Sequence, residues 1–136
     1  MRKQSNKYIA VIIILLLNVC MISKAQTSAE FKKLICKDWK VNFYELNGEK
    51  LTVSEEQQNA VIKYNENYTM TMSQVTVVRH GNWVYDEKEK IVTVDYTNPT
   101  AQDVFNVIKI NDKELVMEIN DMNRGKIRFN FLTATK

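Results

Sequence analysis

The chain has 136 residues, with 19 Lys and Arg, 16 Asp and Glu, one His, two Cys, one Pro and three Gly. Four basic residues, Arg2, Lys3, Lys7 and Lys24, lie among the first 25, so the other 15 nearly balance the 16 acidic ones. A near-neutral body of about 110 residues makes one domain with its own core. It lacks the basic excess on which nucleic-acid binding depends.

Arg2, Lys3 and Lys7 precede an apolar run from Tyr8 to Ile22, and Ser23-Lys24-Ala25 follows with small residues at the positions a signal peptidase reads. This pattern predicts a signal peptide over 1–25, a mature domain over 26–136, and export to the periplasm or the extracellular space. The run is shorter than the roughly 20 residues of a spanning helix, so no stable membrane span is expected after cleavage; an uncleaved N-terminal anchor is the alternative. Lipidation at Cys20 is disfavoured, because Val19 stands where a small residue should precede the modified cysteine. Cys36 is then the lone thiol, without an intrachain disulfide, and its setting in "FKKLICKDW" is that of a small packed hydrophobe.

"TSAEFKKLICK" opens with the spacing of a capping box at Thr27 and Glu30, which predicts a short helix from Ser28 to Lys37. Its face of Phe31, Leu34 and Ile35 suits a cap over one end of a β structure. "DWKVNFYEL" then alternates Trp39, Val41 and Phe43 against Lys40, Asn42 and Tyr44, as a half-buried strand does. Asn47-Gly48 is a turn dipeptide that tolerates positive φ. Ser54-Glu55-Glu56-Gln57 predicts one capped helical turn, and "AVIKY" and "YTMTMS" read as strands. Turns follow at Asp86-Glu87-Lys88, Asn98-Pro99, Asn111-Asp112-Lys113 and Asn123-Arg124-Gly125. Between them Leu115, Met117 and Ile119 share one face, as do Ile127, Phe129 and Phe131. The expectation is an all-β domain: about eight antiparallel strands in an up-and-down meander, closed as a barrel, behind a short N-terminal helix. A sandwich is the alternative, but three glycines leave few sharp corners for it.

"LICKDWKVNFYELNG", "YNENYTMTM", "HGNWVYDEKEKIVTV" and "NDKELVMEI", in that order and spacing, resemble the small lipocalin-like domains exported by Bacteroidetes-type bacteria. The resemblance spans nearly the whole mature domain. It implies an eight-stranded calycin-type barrel whose interior holds a small hydrophobic molecule. It also implies that Trp39 packs at the closed end, covered by a late basic residue, Arg124 or Arg128. Lys37-Asp38 stand before Trp39, where the larger lipocalins carry Gly-x.

The residues give no outline of catalysis. One histidine and one mature cysteine cannot make a zinc site, no nucleophile elbow marks a serine, and no glycine-rich loop cradles phosphate. No cofactor or metal is expected. In "KIRFNF" alternation sends Lys126 and Arg128 away from Phe129 and Phe131, a core and a solvent face rather than a stacking platform. The candidates for a ligand pocket are therefore large residues on strands: Tyr68, Met70, Met72, Trp83, Tyr85, Phe105, Met117 and Phe129. Arg128 and His80 join them as polar groups at the mouth. Two possibilities stay open, a hollow barrel or one filled by its own side chains. His80 faces away from Trp83 unless a bulge at Gly81 breaks the alternation. The expected function is an exported, non-enzymatic protein that binds a small hydrophobic or amphipathic molecule. The alternative is an envelope interaction module using an outer patch of Tyr44, Leu46, Val75 and Val77.

Overall fold

The computed structural model describes residues 27–134; the expected signal peptide, 1–25, lies outside them. Helix α1 spans Ser28–Ile35 and ends two residues short of expectation. Thr27 Oγ1 accepts from the Glu30 N–H, and the Glu30 carboxylate accepts from the Thr27 N–H, the reciprocal cap its spacing predicts. Nine strands follow: β1 Asp38–Leu46, β2 Glu49–Leu51, β3 Val61–Tyr64, β4 Thr69–Ser73, β5 Val78–Asp86, β6 Ile91–Thr97, β7 Thr100–Ile110, β8 Glu114–Asp121 and β9 Gly125–Thr133. One helical turn, α2, Glu55–Gln58, is capped by Ser54 and Gln57 between β2 and β3.

From β3 to β9 each strand pairs antiparallel with the next, and β9 returns to β1. On its other flank β1 pairs with β3 at Asp38–Lys40 and with the short β2 at Tyr44–Leu46. The result is a closed antiparallel barrel of eight strands, with β2 a hairpin return beside the β1 rim. Closure removes the free edges that an open meander would expose. Asn47 (φ 51°) and Gly48 (φ 88°) turn the β1–β2 hairpin. The Asn47 side chain then ties this turn to the β8–β9 hairpin, accepting from the Lys126 N–H at 2.9 Å.

Alternation sets most of the interior, but two bulges re-aim it. Between Val41 and Phe43 the β1–β9 register slips, so that Val41 lies opposite Phe131 and Tyr44 opposite Phe129. The strand expected to send Phe43 in and Tyr44 out turns each to the opposite face beyond this point, both of them half-buried. Phe43 lies outside beneath the Lys50 ammonium, 4.2 Å from its ring centroid, and Tyr44 points in. A second slip, between Val107 and Lys109, exposes Ile108 and returns Ile110 to the core.

Helix α1 plugs one end. Phe31 and Ile35 are fully buried, and Phe31 stacks on Tyr85 with ring centroids 3.7 Å apart. The helix also reaches three turns at this end. Ser28 donates to Glu87, Lys37 pairs with Asp112 at 2.7 Å, and the Lys32 ammonium sits 4.2 Å from the Tyr68 ring centroid. Cys36 is half-buried against the core, and burial pushes its thiol pKa up. Among the described residues no helix is long and apolar enough to cross a membrane.

Among the described residues the outer wall has one buried charge. Glu118 on β8 accepts from Arg128 at 3.0 and 3.2 Å and pairs with Lys126 at 3.2 Å; Arg128 also lies 3.6 Å from Glu45 on β1. Burial works to raise the Glu118 pKa, but the hydrogen bonds and charges of Arg128 and Lys126 outweigh it and hold the carboxyl below its ordinary 4.5. A carboxylate depressed by folding stabilises the fold above that ordinary value, and the contribution is lost as pH falls through the folded pKa. Glu118→Gln is expected to cost about 1–2 kcal/mol near neutral pH. Urea unfolding should show that difference shrinking as pH drops through the carboxylate range. A difference that does not change with pH would remove the ion pairs as its cause.

Candidate functional site

The barrel is hollow toward the end opposite α1. A cavity of about 220 Å³ opens among the inward side chains of all eight barrel strands. Its apolar wall comes from Val41, Ile62, Met70, Met72, Phe105, Met117, Phe129 and Phe131. Aromatic packing makes part of that wall rigid: Phe129 meets Tyr44 and Phe105 edge-on, with centroids 5.3 and 5.8 Å away. Ala60, Gln74 and Arg79 come from the ends of β3, β4 and β5 that lie far from the helix, and so place the mouth.

The polar lining comprises Tyr44, Tyr64, Gln74, Arg79, Tyr96 and Asp103. Arg79, Gly81, Trp83 and Tyr85 occupy the inward face of β5, with Arg79 at its outer end. Its guanidinium carbon is 5.9 Å from the centroid of the Tyr96 ring. Burial first, then the Asp103 charge and its hydrogen bond, hold the Tyr96 hydroxyl well above its ordinary pKa of 10, against the opposing charge of Arg79. Burial, reinforced by Tyr96 and Asp103, does the same to Tyr64, and burial raises Tyr44. These phenols stay neutral at physiological pH; Tyr44 and Tyr64 offer O–H donors to a guest, while that of Tyr96 is directed at Asp103. The lining holds no Ser, Thr, Cys or His, so it offers none of the usual nucleophile–base pairs. No group of three or more His, Cys, Asp or Glu side chains among the described residues could hold a metal. The arrangement is equipped to bind.

Of the residues expected in a pocket, Met70, Met72, Phe105, Met117 and Phe129 line this cavity. The other five lie elsewhere. Trp83 is buried below the cavity, its Nε1–H donating to the Asn65 carbonyl at 3.2 Å and its ring edge-on to Tyr64. Tyr85 is the stacking partner of Phe31 at the plugged end. Tyr68 precedes β4 instead of belonging to it. It sits in the β3–β4 turn with φ 64°, half its surface exposed, against Trp83 and Lys32. Arg128 is on the outer wall with Glu118 and Glu45, so it covers no tryptophan. Trp39 instead donates its Nε1–H to the Ile35 carbonyl at 2.9 Å.

His80 is exposed on the outside, 3.5 Å from the Thr71 hydroxyl. The register of β5 with β4 and β6 runs through Gly81 without a slip, so no bulge turns the imidazole inward. The charged group of β5 that does face the cavity is Arg79, its neighbour. The signal was present in the sequence: Arg79 lies four residues before Trp83 and therefore on the same face of the strand. Tyr64, Tyr96 and Asp103 were missed as well. Tyr96 shares a face with Val92 and Val94, and Asp103 with Phe105, which period-two spacing shows equally well.

No curated protein matches the chain. A family model described as lipocalin-like domain matches residues 35–117, more than half of the chain, from the end of α1 into β8. The strand that closes the barrel, β9, lies beyond the match. The fold suggests small-molecule binding and is generally non-enzymatic. With the match and the closed eight-stranded barrel together, the chain belongs to the lipocalin-like domain family.

Proposed function

We propose that this protein is exported and binds one small amphipathic molecule inside its barrel, without catalysis. The observation that carries the proposal is the cavity, closed at the α1 end and walled by methionines and aromatic rings, with Arg79, Tyr96 and Asp103 on three consecutive strands. Its 220 Å³ falls below the ~300–1,000 Å³ of sites for drug-sized ligands, so the guest is small. Methionine thioethers adapt to different apolar shapes, which favours a class of related tails over one rigid molecule. Export is supported by the basic N-terminus, the apolar run and Ser23-Lys24-Ala25.

The alternative of an outer interaction patch loses support in this geometry. Tyr44, the largest of its expected residues, points into the barrel, which leaves Val75 and Val77, exposed in the β4–β5 turn, as its large apolar members besides Leu46. Native mass spectrometry of protein recovered from its own host tests both parts of the proposal. The expected spectrum shows a chain beginning at Gln26 with a small non-covalent adduct that is released on denaturation. An unprocessed chain would overturn export. A chain without adduct, even after exposure to extracted small molecules of the host, would overturn binding.

A further inference from the structure

The cavity carries one guanidinium and one carboxylate, and they are not each other's partner. Arg79 projects from β5 and Asp103 from β7, on either side of the β6 residue Tyr96. Gly81, two residues along from Arg79, pairs with Tyr96, and Asp103 pairs with Val94. Arg79 lies over the Tyr96 ring while Asp103 acts on its hydroxyl. Among the described residues Arg79 makes no ion pair within 4.0 Å. Both side chains are half-buried, and neither has a charged partner to offset the water it gives up.

Such a pair discriminates by repulsion as well as attraction. A simple carboxylate satisfies Arg79 but faces Asp103. A simple amine satisfies Asp103 but faces Arg79. A ligand with both charged groups on one carbon suits both, and its apolar tail enters the Met70, Phe105 and Met117 chamber. At water's share of about 30 Å³ per group, 220 Å³ holds about seven methylene-sized units. We propose that the cavity selects a small zwitterion with an apolar tail, of the α-amino acid type, its carboxylate on Arg79 and its ammonium on Asp103. This rests on the binding function proposed above and specifies the ligand class.

Calorimetric titration with four probes of eight carbons each separates the two claims: 1-octanol, octanoate, octylamine and 2-aminooctanoate. The expected result is 2-aminooctanoate binding about tenfold or more tighter than either singly charged probe, the scale of one charge-assisted hydrogen bond. Arg79→Gln should abolish its advantage over octylamine, and Asp103→Asn its advantage over octanoate. Each variant keeps one charged contact, so retained binding of the matching probe reports that it is folded. Octanoate or octylamine binding as tightly as 2-aminooctanoate would overturn the zwitterion while leaving apolar binding intact. An advantage that survives both substitutions would overturn the assignment to Arg79 and Asp103. If none of the four probes binds, the binding function itself fails.

Discussion

Replacing Trp39 with alanine is expected to destabilise the protein by about 3–5 kcal/mol, a large part of the ~5–15 kcal/mol that holds a domain folded. The side chain has no exposed surface, and its residue is the second of β1, between Ile62 of β3 and Thr133 of β9. Its loss opens a void under α1 that the closed barrel cannot collapse to fill. It also removes one of the two hydrogen bonds to the Ile35 carbonyl at the helix end, leaving that from the Lys37 N–H. Phe31 and Lys37, which hold α1 to Tyr85 and Asp112, would then act without a fixed helix end. Trp39→Phe keeps most of the apolar volume and removes the donor, so it should cost markedly less, about 1–2 kcal/mol. Urea unfolding measures both. A loss below about 1 kcal/mol for the alanine variant would contradict the role assigned to Trp39.

Gly81→Val is expected to be almost as damaging, about 3 kcal/mol or more, for the opposite reason. A Cβ at Gly81 would stand 2.5 Å from the Asp95 carbonyl oxygen and 3.2 Å from the Tyr96 Cα. Both are backbone atoms of the neighbouring strand, so no rotamer change relieves the clash and β6 must move. Tyr96 moves with it, so ligand affinity should fall together with stability. The control is Asn82→Val, one residue along β5 and exposed on the outside, which should change stability by no more than about 0.5 kcal/mol. Thermal melts of the two variants side by side decide the matter. Equal melting temperatures would show that the close approach at Gly81 is not a constraint.

The architecture was legible wherever local chemistry dictates local shape. Thr27 and Glu30, Ser54 and Gln57, and Asn47-Gly48 each announce a cap or turn through a specific hydrogen bond or a positive φ. Period-two alternation then placed Met70, Met72, Met117 and Phe129 inside. The exchange of Phe43 and Tyr44 was hidden, because the bulge after Val41 carries no glycine and follows from how β1 meets β9, some 90 residues later. Depth was hidden for a similar reason. Tyr85, Trp83 and Arg79 share one face of β5, yet they lie at the plug, the floor and the mouth respectively. Only the register of β5 against β4 and β6, together with the position of α1, assigns those levels. Arg79 is the instructive case. Its direction followed from Trp83, but the lone histidine beside it drew the chemical reading to the wrong face.

The central claim, that a small tailed molecule enters the barrel from the end opposite α1, is tested most directly by methionine-methyl NMR. Met70, Met72 and Met117 line the cavity, and Met122, at the β8–β9 hairpin tip, is fully exposed. Titration with 2-aminooctanoate should shift the first three methyl resonances along one saturable curve and leave Met122 unmoved. Cavity methyls that stay still throughout, or shifts confined to Met122, would contradict the account.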